Sequence, residues 1–274
     1  MKKRILSIIL IGFALFAVLV AGIVFLTQNK PIDLHALNSA NQLYTAGHYT
    51  EAATIYEQLI AQGGRDSALY YNLGNSYYQQ GDLGRAILNY QRAAQLAPRD
   101  QDIQANLTLA RAQVVDAYPE VPAGPFDSLA KITSGWLTLN ETAIIALFIW
   151  FALGFLVLTW QLLQPGKLQN SIRTTALVLF LFVMVATLSL GSRILSEYSQ
   201  PEGIIVAPTV TVSSSPNEEQ TTEIQLHSGA EVNLLETNGD WIRISIPGDV
   251  LEGWLPLDAV EQIAQSPHFS EITL

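Results

Sequence analysis

From Asp33 to Asp100 the sequence overlays on itself at a shift of 34 residues without a gap, and this self-similarity constrains the fold more than any other feature. Gly47 falls on Gly81, Ala52 on Ala86 and Tyr56 on Tyr90. The second copy carries Tyr70, Leu73, Gly74, Tyr77, Gly81, Ala86, Tyr90, Ala93 and Pro98. Each has a physical reason. Gly74 and Ala86 are small where the two helices of one hairpin touch, and Tyr77 and Tyr90 fill the groove between hairpins. Gly81 makes the turn, and Pro98 ends the second helix.

This set closely resembles the tetratricopeptide repeat (TPR). The first copy is degenerate, with Ala36 at the position of Tyr70, Ser39 and Ala40 for Leu73 and Gly74, and Gly64 for Pro98. Two stacked units bury little, so a further helix is expected to cover the second. Gln101 to Val115, with Ile103, Leu107, Ala110 and Val114 on one face, fits that capping role. The resemblance implies that the inner surface of the first helices receives an extended or helical peptide. Position by position, that surface presents Leu37, Asn41, Tyr44, Tyr71, Asn75 and Tyr78. Tyrosine and asparagine supply aromatic area and adaptable hydrogen bonds. Leu37 and Tyr71 stand where a TPR gripping a carboxylate tail has lysine, which argues against a chaperone-tail clamp. For any one of these residues the alternative is structural, the asparagines bonding to neighbouring backbone and the tyrosines packing.

Three apolar runs set the remaining architecture. Ile5 to Leu26 follows Lys2, Lys3 and Arg4; Ala143 to Leu163 contains Trp150 and Trp160; Thr174 to Gly191 precedes Arg193. Crossing ~30 Å of hydrocarbon takes ~20 residues, which each run approaches or exceeds. The length of the first run favours an uncleaved anchor over a cleaved signal. Between the second and third lie Pro165 and Gly166, which break the helix, and Lys167 and Arg173, with no acid. The positive-inside rule places that loop and the N-terminus in the cytoplasm, so the repeats and everything after Arg193 are expected outside. Asn140 reads as the N-cap of the second run's helix.

From Gly203 onward the periodicity drops to about two. Ile204 to Val206, Val210 to Val212, Glu231 to Leu235 and Trp241 to Ile244 read as short strands, separated by Pro208, Ser215-Pro216-Asn217, Ser228-Gly229, Asn238-Gly239 and Pro247-Gly248. The order Leu226-His227-Ser228-Gly229, Asn238-Gly239-Asp240-Trp241 and Glu252-Gly253-Trp254-Leu255-Pro256 resembles bacterial SH3-like (SH3b) domains. The resemblance implies mainly structural roles for Trp241, which packs into the barrel, and for Gly253 and Trp254, which begin a late strand. Asn238-Gly239 is the expected hairpin turn. Known SH3b domains often bind cell-wall peptides or other proteins.

The formal net charge of -10 and the lack of clustered Lys and Arg beyond the first four residues argue against a nucleic-acid partner. Without cysteine there is no thiolate nucleophile or sulfur ligand. His35, His48, His227 and His268 show no metal-ligand spacing, and no phosphate loop, dinucleotide fingerprint or nucleophile elbow occurs, so no cofactor, metal or catalytic residue is assigned.

The expected fold class is a multidomain membrane protein with all-α TPR helical hairpins, transmembrane helices and a small all-β SH3-like barrel. The expected segments are an anchor helix at 1–30, a TPR region at 33–116 (repeats 33–66 and 67–100, capping helix 101–115) and a linker at 117–140 bearing Pro119, Pro122 and Pro125. A transmembrane hairpin at 141–193, the SH3b-like barrel at 200–265 and a tail at 266–274 complete the chain. In this order the parts resemble the BatE-like proteins of aerotolerance-type operons. That resemblance implies a bacterial inner-membrane scaffold. Its partners would be membrane-anchored von Willebrand factor A-type proteins and, across the membrane, a MoxR-type ATPase. Attachment to the cell wall through the SH3b domain is the alternative expectation.

Overall fold

The computed structural model describes residues 32–116, 128, 132–199, 201–216, 224–246 and 251–263. The expected N-terminal anchor, most of the linker and the tail lie outside the described residues. The chain forms two compact units. Residues 139–191 make one, and residues 32–138 together with 192–263 make the other.

The second unit begins with five helices: α1 (Leu34–Thr45), α2 (Tyr49–Ala61), α3 (Ser67–Gln80), α4 (Leu83–Leu96) and α5 (Gln101–Arg111). An aspartate starts four of them. Asp33, Asp66, Asp82 and Asp100 each accept one or two hydrogen bonds from backbone N–H groups of the first turn, satisfying donors that have no partner within the helix. Gly47 and Gly81 take φ of +84° and +78° in the equivalent turns after α1 and α3, where a side chain would be strained. Gly74 is required for a different reason, since a Cβ there would lie 2.8 Å from two Tyr90 ring carbons. The helices pack through Ala40, Ala52, Tyr56, Leu59, Leu69 and Leu73 in the first hairpin pair, and through Ala86, Ile87, Leu88, Tyr90, Leu107 and Ala110 further along.

Helix α5 packs against α4 and ends at Arg111, short of Val115. It also repeats the pattern a third time. Leu69 and Leu73 of α3 recur as Ile103 and Leu107, and Ser76 as Ala110, all buried. Helix α5 therefore occupies the place of a first helix in a third, incomplete unit.

The other unit is a helical hairpin, α6 (Leu139–Leu162) and α7 (Lys167–Ser199), whose second helix continues beyond it. Both helices are long and apolar enough to cross a membrane. Apolar side chains such as Phe148, Trp150, Leu181 and Phe182 are more than half exposed, and there is no polar face to turn toward water. Pro165 and Gly166 break the chain between the helices as expected, and the Gln169 side chain donates to the Trp160 and Leu163 carbonyls at 3.3 and 3.4 Å, capping the end of α6. Two boundaries differ from the sequence reading. Helix α7 starts at Lys167 rather than Thr174, because Leu168 to Arg173 are adequate helix formers that hydropathy alone does not score. Asn140 lies inside α6, one residue past its start at Leu139, and is not its N-cap.

The described residues after α7, in the second unit, form seven short strands and one 3-10 turn at Leu257–Ala259. An antiparallel five-stranded sheet has the order β6-β5-β4-β1-β7, with β1 at Glu202–Ile205, β4 at Glu231–Asn238, β5 at Trp241–Ser245, β6 at Glu252–Pro256 and β7 at Val260–Gln262. The pair β2 (Thr209–Val212) and β3 (Ile224–His227) forms a second sheet, tied to β6 by a two-bond bridge between Ser213 and Trp254. Ile205, Val212, Leu226, Val232, Leu234, Ile242, Ile244 and Leu255 fill the space between the sheets. The β4–β5 turn is formed by Gly239 and Asp240, because Asn238 pairs directly with Trp241; the expected turn is thus shifted by one residue. Gly239, at φ +60°, leads it, as a two-residue hairpin allows.

Both faces of β1 are buried. Ile205 enters the sheet core while Ile204, fully buried, enters the helical core beside Ala86, Ile87 and Tyr90. Burying such a side chain contributes about 1.5–3 kcal/mol. Around it runs a polar seam. Arg92 donates to the carbonyls of Ile263 and Gln262 at 3.1 and 2.6 Å, and Arg85 pairs with Glu261 at 3.1 Å. Glu231 accepts from Arg111 at 2.7 Å and from Gln91 at 3.0 Å, and Asp116 meets the backbone N–H and ring of His227 at 2.5 and 3.1 Å. The repeats and the β region, separated in sequence by the apolar hairpin, pack as one unit.

Candidate functional site

The six residues named from the sequence all lie on α1 and α3, and a ladder of hydrogen bonds holds four of them, Asn41, Tyr71, Asn75 and Tyr78. Asn41 Oδ1 accepts from the Tyr56 hydroxyl at 2.7 Å and from Asn72 Nδ2 at 3.3 Å. One unit along, Asn75 Oδ1 accepts from the Tyr90 hydroxyl at 2.7 Å and from Asn106 Nδ2 at 3.0 Å. Every member of the second set is the first shifted by 34 residues. The ladder continues at Tyr78, whose hydroxyl accepts from Gln113 at 2.6 Å, and Tyr44 and Gln79 stand at the equivalent positions one unit earlier. Asn106 Nδ2 also reaches the Tyr71 hydroxyl at 2.9 Å.

The asparagines therefore bond neither to backbone nor only to a future ligand. Each carbonyl oxygen already holds two donors, which uses both of its lone pairs and fixes the amide plane. No bond among the described residues uses Asn41 Nδ2 or Asn75 Nδ2. Tyr56 and Tyr90, which hold the asparagine oxygens, are buried; burial pushes the Tyr56 hydroxyl up to about 12, Tyr44 nearby adding to the rise, and raises Tyr90 likewise. Both are neutral donors at physiological pH. Tyr44 is also raised by its burial, and its ring meets Tyr49 edge-on with centroids 5.3 Å apart. Tyr71 leans on Tyr90 at 5.9 Å. Leu37, Tyr44, Tyr71 and Tyr78 are each half-buried, so that part of each side chain packs inward and part stays accessible.

The charge distribution over these helices is uneven. Leu34–Thr45 and Ser67–Gln80 contain no Asp, Glu, Lys or Arg at all, whereas α2 and α4 carry Glu51, Glu57, Arg85 and Arg92. On α5 the position equivalent to Asn41 and Asn75 is Leu109, which is 54% exposed. The sequence reading missed Asn72, Gln79, Asn106, Leu109 and Gln113 as members of this surface. Carrying the 34-residue overlay past Asp100 would have found Asn106 and Gln113.

Gly253 and Trp254 lie near the start of the late strand β6, where the sequence resemblance put them, but Trp241 does not lie where it was put. Alternation along β5 sends Ile242 and Ile244 into the core, leaving Trp241 half-buried on the other face with Arg243. Trp254 is likewise half-buried and sits opposite Arg243, while Trp241 sits opposite Pro256. Trp241 thus does not pack into the core. Gly253 does have a structural role, since a Cβ would come within 2.4 Å of Val212 and 2.8 Å of the Ser213 carbonyl oxygen. Arg243 is bracketed on this face by Glu236 at 3.1 Å and Glu252 at 2.7 Å, and the hydrogen bond to Glu236 leads in raising its already high pKa.

Comparison with known families gives one match, the tetratricopeptide repeat over residues 37–101. The search of curated proteins gives no match. The TPR is an interaction module that generally binds protein partners and does no chemistry itself, and the matched residues include most of the groove ladder. No group of His, Cys, Asp or Glu able to hold a metal ion occurs among the described residues.

Proposed function

We propose that this chain is a non-catalytic, membrane-anchored scaffold that holds a partner protein in its TPR groove. The observation that carries the proposal is the charge-free surface of α1 and α3, laid on a ladder whose asparagine oxygens are saturated and whose amide donors are not. Such a surface has little to contribute to chemistry and much to recognition. The β region, read as SH3b-like, is a second module packed against α4.

The proposed location is the bacterial cytoplasmic membrane, with the repeats and the β region on its outer side. Support comes from the packing itself. Two crossings by α6 and α7 return the chain to the side it left, as docking of α4 on β1 requires. Lys167 and Arg173, in the first turns of α7 beside the break at Pro165 and Gly166, favour a cytoplasmic turn. Membrane-anchored von Willebrand factor A-type proteins and a MoxR-type ATPase are the partners we propose from the family resemblance.

A second reading, attachment to cell-wall peptides through the β region, draws on the accessible faces of Trp241 and Trp254. The two separate in one experiment, cross-linking in cells followed by detergent pull-down. The scaffold reading expects discrete membrane proteins lost on Leu109→Lys substitution. The wall reading expects wall fragments lost on Trp254→Ala substitution and indifferent to Leu109.

A further inference from the structure

The turn that leads into α6 carries two large apolar side chains that the protein core does not take up. Resting on the reading of α6 as a membrane-spanning helix, we infer that Ile132 and Trp136 form an interfacial anchor. Their side chains sit among the phospholipid headgroups of the leaflet where α6 begins, and Arg99 ties this anchor to the repeats.

The anchor is exposed yet its backbone is fixed. Trp136 is 73% exposed and Ile132 is 68% exposed. The N–H groups of Trp136 and Leu137 donate to the Thr133 carbonyl at 3.3 and 2.9 Å. The Trp136 carbonyl accepts from Arg99 Nη1, and the Leu137 carbonyl accepts from Arg193 Nη1 at 3.0 Å. The turn and both arginines belong to the unit that contains the repeats, not to the apolar hairpin. Bonds from two distant parts of that unit therefore hold a turn whose indole ring is left outside the core.

Position along the chain says what covers it. Helix α6 begins at Leu139, three residues after Trp136. At no more than about 3.6 Å per residue, the two lie within about 11 Å of each other. From Leu139 to Trp160 the helix rises about 32 Å at 1.5 Å per residue, close to the ~30 Å of a hydrocarbon core. With Trp160 at one boundary, the start of α6 reaches the other, and Trp136 meets the headgroup layer, roughly 5–7 Å thick on each side. Tryptophan collects at such boundaries because its ring is apolar while its N–H still needs a polar partner. Arg99 and Arg193, the cations beside the turn, have the sign that suits a phosphate layer in a chain of net charge -10.

The chain contains no cysteine, so single introduced cysteines can carry a nitroxide label one at a time. The probes are Ile132→Cys, Glu51→Cys on exposed α2 as the aqueous reference, and Trp150→Cys within α6 as the lipid reference. Each is the full chain in phosphatidylcholine bilayer discs. Collisions with oxygen report lipid, and collisions with a water-soluble nickel chelate report water. The label at 132 should meet less nickel than at 51 and more than at 150, and more oxygen than at 51. Trp136→Ser should shift it toward the values at 51, whereas Trp136→Tyr, which keeps an amphipathic ring, should hold it in place. Arg99→Met should raise its mobility. A label at 132 that matches 51 while the one at 150 stays in lipid overturns the anchor and leaves the spanning helix intact. Shielding from both reagents means that protein covers the turn, which also overturns it. Indifference to Trp136→Ser, or unchanged mobility in Arg99→Met, removes the part assigned to that residue. Nickel contact at 150 overturns the spanning reading and the anchor with it.

Discussion

Gly84, in the first turn of α4, packs directly against the backbone at the end of β1, and replacing it with alanine tests whether the helical and β parts form one unit. A Cβ at Gly84 would lie 2.4 Å from the Ile205 carbonyl oxygen, 2.7 Å from Ser228 Oγ and 3.0 Å from Val206 Cα. Two of those atoms are backbone and cannot swing away. The Gly84 N–H also donates to Ser228 Oγ at 2.9 Å, a bond that any retreat of β1 would stretch. Alanine in a helix gains up to about 1 kcal/mol over glycine, so a substitution free of steric conflict should stabilise. Overpacking against a rigid neighbour costs about 1–3 kcal/mol, and partial withdrawal of Ile204 from the helical core adds to it. The balance is a net loss of about 1–2 kcal/mol, or roughly tenfold faster opening of the seam. Hydrogen exchange followed by mass spectrometry on the full chain in detergent reads this directly. Exchange should quicken in β1 and the start of α4 and stay unchanged in α1 and α2. Unchanged or slower exchange in β1 would refute the idea that this contact joins the two parts.

Asn75→Ala removes the acceptor of the buried Tyr90 hydroxyl and should cost about 1–3 kcal/mol; in a Tyr90→Phe background the same substitution should cost less, and additive losses measured by urea denaturation would contradict the ladder. Arg92→Met leaves the Gln262 and Ile263 carbonyls without their donor and should loosen β7 by about 1–3 kcal/mol, seen as selective exchange of its amides. Burial raises the Tyr56 hydroxyl from 10.0 to about 12, so the folded state binds its proton more tightly than the unfolded state does. Its stabilisation is full below pH 10 and is lost as pH rises from 10 toward 12; Tyr56→Phe should flatten the decline in thermal stability over that range, and an unaltered slope would count against it.

The repeat was legible because it is enforced locally. Gly74, Gly81 and Ala86 answer to contacts within one hairpin, and a 34-residue offset displays them without knowledge of the rest of the chain. The apolar hairpin was legible for the same kind of reason, though the start of α7 was not, since Leu168 to Arg173 form helix by propensity rather than hydropathy. What the sequence hides is partnership between distant segments. Ile204 and Ile205 read as an ordinary strand, and nothing near them says that one of the pair belongs to a helical core more than 90 residues earlier. Gly84 looks like a weak helix residue until β1 is placed against it. Trp241 misled for a related reason. Trp241 is large and apolar, but its face is decided by the alternation that Ile242 and Ile244 fix, and those two fill the core. The groove itself was half visible. The six residues were named by position in the repeat, while the hydrogen bonds around Asn41 and Asn75 depend on Asn72 of α3 and on Asn106, which joins them only when α5 is recognised as a third first-helix.

The most direct test of the scaffold account is in-cell cross-linking followed by detergent pull-down, comparing the wild type with Leu109→Lys. This substitution places one charge in the uncharged groove and breaks no bond of the ladder. The account predicts discrete membrane proteins recovered with the wild type and lost with the variant, while both forms are equally abundant and equally resistant to proteolysis. Recovery of the same proteins with both forms would contradict it and move the functional surface away from the groove.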